Sequence, residues 1–108
     1  MLTKRRILKK LIENRKEFKK FGVKKIGLFG SYVRNDAKEG SDIDIVVEFE
    51  EGKKNYDNFI NLYYYLKELF GEDIDLLTKE SLSKYIKEDI LKELNTFNNH
   101  SFYIQKLQ

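Results

Sequence analysis

The chain has 108 residues, of which 41% are hydrophobic and 36% charged, with 21 Lys and Arg against 18 Asp and Glu. That length suits one domain over residues 1–108 with no second large core, and so apolar a composition excludes a disordered chain. With no cysteine, a disulfide framework, a cysteine-based zinc site and a thiol nucleophile are excluded. No apolar run approaches the ~18 residues of a membrane span and no signal-peptide pattern is present, so a cytoplasmic protein off the membrane is expected.

Thr3 to Lys20 has Ile7, Leu8, Leu11, Ile12 and Phe18 at helical spacing, with Thr3 as the N-cap. Residues 1–25 hold 11 of the basic residues and only Glu13 and Glu17 as acids, a local net of +9, while the remainder nets −6. Such asymmetry attracts nucleic acid or an acidic partner, or is simply a solvated helix face. After Phe21-Gly22, Ile26 to Phe29 forms a short apolar strand that ends at Gly30-Ser31, where a helix begins toward Asp36.

Asn35 to Ser41 is turn-rich. From Asp42 to Phe49 the pattern alternates, Ile43, Ile45, Val47 and Phe49 facing one way and Asp42, Asp44, Val46 and Glu48 the other, which predicts a strand. Tyr56 to Phe70 is a helix with Tyr56, Phe59, Ile60, Tyr63 and Phe70 on its apolar side, stopped by Gly71. Asp73 to Thr78 is a third strand, and Ser81 caps a last helix that buries Leu82, Tyr85, Ile86, Ile90 and Leu94. The tail, residues 95–108, is polar at first but ends in Phe102, Tyr103, Ile104 and Leu107, which need their own domain or a partner to cover them. The expected class is α+β (α/β-like), a small mixed three-stranded sheet packed against about four helices.

Asp42 and Asp44 leave one strand face roughly 7 Å apart, and Asp75 joins them if the third strand pairs beside the second. Three clustered carboxylates repel by up to about 4 kcal/mol per close pair and persist only with a cation. Oxygen ligands favour magnesium or manganese, completed by substrate phosphates. Each part alone has a plain structural explanation: turn chemistry places Asp42 at a strand start, and Asp75 suits the surface of an edge strand. Their joint spacing with Gly30-Ser31 points further, because Gly30 permits close approach of phosphate and Ser31 opens a helix whose N-terminus attracts anions.

Gly30-Ser31-Tyr32-Val33-Arg34, then Gly40-Ser41-Asp42-Ile43-Asp44, resembles the signature of the DNA-polymerase-beta-type nucleotidyltransferases, and more narrowly the minimal nucleotidyltransferases (MNT) of HEPN/MNT toxin–antitoxin systems. The resemblance implies the nucleotidyltransferase fold, with Gly30 and Ser31 holding the β- and γ-phosphates of ATP. It implies that Asp42 and Asp44 bind two Mg²⁺ ions (Mn²⁺ as substitute), and that Asp75 is the third catalytic and metal-binding carboxylate, with Asp73 its alternative in another register. Arg34 and Ser41 would assist nucleotide binding, Arg34 at phosphate or the loop and Ser41 at the turn.

The activity implied is transfer of AMP to a hydroxyl, foremost a tyrosine of a HEPN-domain ribonuclease toxin, so that the protein is an antitoxin. Three alternatives stand beside it: a binding-only antitoxin that masks its HEPN partner, a small-molecule adenylyltransferase, and an RNA nucleotidyltransferase. Nucleic acid is the less favoured partner, because the basic segment lacks interleaved aromatics. Tyr63, Tyr64, Tyr65 and the aromatic tail suit either a docking protein or ordinary packing. The basic helix and apolar tail fit a homo- or hetero-oligomer, and His100 is expected to be exposed and uninvolved.

Overall fold

The computed structural model describes residues 2–81 and the backbone of 102–106. The helix expected from Thr3 to Lys20 is two: α1 (Lys4–Glu13) and α2 (Arg15–Lys20). Thr3 does cap the first, its hydroxyl accepting from the Arg6 N–H at 3.3 Å. The break falls at Asn14, whose side-chain amide donates to the Lys10 carbonyl at 2.8 Å while its Oδ1 accepts from the Tyr65 hydroxyl at 2.5 Å. Tyr65 also stands edge-on to Phe18 at 5.7 Å. A side chain 51 positions away thus fixes the angle between the helices. Tyr65→Phe is expected to lower stability by about 1 kcal/mol; a thermal melt identical to wild type would remove the hydrogen bond from this account.

Next come β1 (Val23–Phe29), the four-residue α3 (Ser31–Arg34), β2 (Ile43–Phe49), α4 (Tyr56–Phe70), β3 (Ile74–Thr78) and β4 (Phe102–Lys106). The three foreseen strands form a mixed sheet: β2 lies antiparallel to β1 and parallel to β3. The tail adds a fourth strand, β4, antiparallel to the other side of β1, so the order is β3-β2-β1-β4.

One sheet face is the core. Ile26, Leu28, Ile43, Ile45 and Val47 are fully buried there against Ile7, Leu11, Phe18, Leu62 and Leu66 from the helices. On α4 the buried line is Leu62, Leu66 and Phe70, supported by Phe59, Tyr63 and Leu69. Tyr56, expected inside, is 75% exposed, because its position is rotated off that line and its hydroxyl is better solvated. Gly71 ends α4 in the left-handed region (φ 65°), its N–H returning to the Lys67 carbonyl.

Helical structure resumes at residues 79–81. Its cap is Thr78 rather than Ser81: the Thr78 hydroxyl oxygen accepts from the Ser81 N–H at 3.1 Å, which places Ser81 within the first turn. The expected apolar side of that helix, Leu82 to Leu94, and His100 lie outside the described residues. Among the described residues no helix is long and apolar enough to cross a membrane.

Candidate active site

The sheet register settles which acid accompanies Asp44. Asp44 faces Phe29 of β1 on one side and Asp75 of β3 on the other as direct strand neighbours, so Asp44 and Asp75 emerge on one face about 4.8 Å apart between strands. Asp73 lies before β3: its carbonyl accepts from the Ile43 N–H at 2.9 Å, and its exposed carboxylate reaches Lys67 at 4.0 Å. Asp42, also exposed, precedes β2 two residues from Asp44 and shares its face. The face is the one opposite the core.

Half-burial pushes the Asp44 carboxyl up to about 6, and the charges of Asp75 and Asp42 add to the rise. The Ser31 backbone N–H, hydrogen-bonded to it, and the charge of Arg34 pull the other way. The β1–α3 turn therefore grips this carboxylate. Gly30 sits at φ 77°, ψ −149°, backbone space that is essentially restricted to glycine. A Cβ there would overlap Asp44 Oδ2. Gly30 is thus required by its neighbour across the sheet as well as by its own torsions.

Ser41 closes the turn leading into β2, its Oγ accepting from the Lys38 N–H and its own N–H donating to the Lys38 carbonyl, both at 2.9 Å. Arg34, exposed at the end of α3, donates from Nε to Asp36 Oδ2 at 3.0 Å. The structure brings together Gly30, Ser31, Asp42, Asp44 and Asp75, with Arg34 at the end of α3 and Ser41 on the loop that follows. Further along the Asp44 face is a group with no role assigned from sequence. Glu48 lies 3.2 Å from Lys79 and 3.6 Å from Lys24, tying β1 and β2 to the first helical residue after Asp75's strand. Burial would raise the Glu48 carboxyl, but Lys79, Lys25 and Lys24 together hold it below the usual range. The period of two had already put Glu48 on this face.

Among the described residues no three acidic or imidazole groups form a ready-made metal cage. The donor chemistry nevertheless fits magnesium, which takes one or two carboxylates and completes its shell with water and substrate phosphates. The mutual repulsion at Asp44 is what a bound cation would relieve.

The model of the nucleotidyltransferase domain matches residues 8–95. The protein adenylyltransferase MntA of Thermococcus cleftensis is 46% identical over 95 residues, spanning 87% of this chain and 95% of the relative. An inferred protein adenylyltransferase of Methanocaldococcus jannaschii is 50% identical over 74 residues, 68% of this chain and 78% of the relative. Two solved structures share the fold. One is a mutant of the toxin–antitoxin MntA–HpeT, with TM-score 0.51 and 24% identity over 85% of this chain and 65% of that one, just under two thirds of its length. The other is a toxin–antitoxin with AMP-PNP, with TM-score 0.52 and 21% identity over 99% of this chain and 73% of that one.

Proposed function

The chain belongs to the nucleotidyltransferase family and is an MntA-like nucleotidyltransferase; from that membership we propose that it transfers AMP from ATP to a tyrosine of a HEPN-domain ribonuclease toxin and so acts as an antitoxin. The observation that carries the reading is the alignment of Asp44 with Asp75 across β2 and β3, with Gly30 and Ser31 pressed against the Asp44 carboxylate.

Asp42 and Asp44 would hold Mg²⁺, two ions with the nucleotide in place and Mn²⁺ as a substitute. Bound there, the metal supplies positive charge for the phosphates and acidifies the attacking hydroxyl. The turn at Gly30 lets the triphosphate approach the backbone, and Ser31 offers its hydroxyl. Arg34 faces the developing charge from the end of α3, while Ser41 fixes the turn that delivers Asp42. Asp75, exposed on the neighbouring strand, orients the acceptor hydroxyl and takes its proton. The acceptor oxygen bonds to the α-phosphorus as the bond to the bridging oxygen breaks, and pyrophosphate leaves. On the toxin, the added AMP blocks the tyrosine and places negative charge where RNA phosphate would bind.

A protein acceptor is supported by the relatives named protein adenylyltransferases, and a toxin as that acceptor by the toxin–antitoxin complexes that share the fold. The test is intact-mass analysis of the neighbouring-gene product, a HEPN-domain protein on this reading, after incubation with this protein, ATP and Mg²⁺. One or more AMP additions that vanish with Asp42→Asn/Asp44→Asn are expected. A stable complex with no added mass would replace transfer with masking of the partner.

A further inference from the structure

Away from the carboxylates, α1 turns Ile7 and Leu11 into the core and presents Arg5, Arg6 and Lys9 to solvent, and α2, beyond the break at Asn14, exposes Lys16 and Lys19. Among the described residues none of these five side chains has an acidic partner within ion-pair distance. Ile12, one turn from Lys9 on α1, is 42% exposed beside it. The ridge starts beside the active-site helix: Thr3 and Lys4 share with Tyr32 and Asn35 the wall of an open cavity of about 140 Å³. From there α1 alone extends about 15 Å.

A face this positive suits a polyanion, and its details favour protein over RNA. Among the described residues no aromatic side chain on it is placed to stack bases, the usual source of grip on single strands. Ile12 gives an apolar contact within the charged field, as protein interfaces have. Glu13, also exposed on α1, would repel a phosphate backbone but can pair with a cation of a protein partner. We infer that the α1–α2 ridge is the docking surface for an acidic face of the acceptor protein, holding it beside the α3 end of the site; the inference rests on the protein-acceptor reading above. Electrostatic docking of this kind accelerates encounter and weakens with salt.

The test is binding without ATP, so that it does not depend on transfer. The labelled neighbouring-gene product is titrated with wild type, with Arg5→Glu/Lys9→Glu/Lys16→Glu, and with the milder Lys9→Gln/Lys16→Gln, at low and high salt. A labelled single-stranded RNA is titrated in parallel. The reversal variant is expected to raise Kd at least about tenfold at low salt, with the milder variant between, and the differences should shrink at high salt. Equal affinities across the three proteins, or no binding by wild type, would overturn the proposal. So would loss of RNA binding with partner affinity unchanged, which would assign the ridge to nucleic acid. Failure of AMP addition with these affinities as expected would count against the transfer reading alone.

Discussion

Asp44→Asn is expected to abolish AMP transfer and, in the metal-free protein, to raise stability. The carboxyl moves from 3.8 to about 6 on folding, through burial first and then the charges of Asp75 and Asp42. Between those values the folded state binds the proton and the unfolded state does not, so this group's contribution to stability falls as pH rises from about 4 through about 6 and is flat above. A shift of that size corresponds to at most about 3 kcal/mol. Because Asp44 is still partly exposed, solvent screening leaves about 1 kcal/mol.

An amide has no charge to desolvate or to meet Asp75. At pH 7 the Asn variant should therefore melt about 5 °C higher, with the gap closing near pH 4. Transfer should fall by at least about 10³-fold, because on the proposed mechanism several kcal/mol of transition-state stabilisation goes with this carboxylate. Millimolar Mg²⁺ with a non-hydrolysable ATP analogue should raise the melting temperature of wild type and much less that of the variant. An Asn variant no more stable than wild type at pH 7, metal-free, would contradict this electrostatic account.

What could be read without coordinates, and what could not, follows from how local each signal is. The strand Ile43 to Phe49 was legible because a period of two in apolar residues is a property of the segment itself. Gly30-Ser31 and Asp42-x-Asp44 were legible as a spacing. The partner acid was named as Asp75 through the resemblance and not through the spacing: Asp73 and Asp75 share a face, and the pairing of Asp44 with Asp75 separates them. The division of the first helix was not legible, since Asn14 interrupts an otherwise continuous apolar period through a hydrogen bond from distant Tyr65. On α4 the ends were legible but the buried side was set a fraction of a turn off. Tyrosine counts as apolar in a pattern, yet its hydroxyl lets it stay at the surface, as Tyr56 and Tyr64 do. Phe102–Lys106 pairs with β1, a destination invisible from a short aromatic run behind a polar stretch.

Gly30→Ala tests the other half of the site, and its effect should divide into two parts. The backbone part comes from φ 77°, ψ −149°, a conformation costing a non-glycine residue roughly 1–3 kcal/mol. The contact part comes from the new methyl overlapping Asp44 Oδ2. The Asp44 Cγ would also lie 2.9 Å from the new methyl, so the whole carboxylate must shift and leave the position it holds between β1 and β3. A displacement of about 1 Å at a reacting centre can cost some 10²-fold in rate, so transfer should fall by about that factor even where the protein stays folded. In a double-mutant cycle, Gly30→Ala should destabilise an Asp44→Ala background less than wild type, because the overlap with the carboxylate is gone and the backbone part remains with only a tight 3.2 Å contact to the residual Cβ. Urea denaturation of the four proteins measures the coupling. An additive cycle would mean that the glycine serves the turn alone, and that the grip of the β1–α3 turn on Asp44 does not depend on the missing side chain.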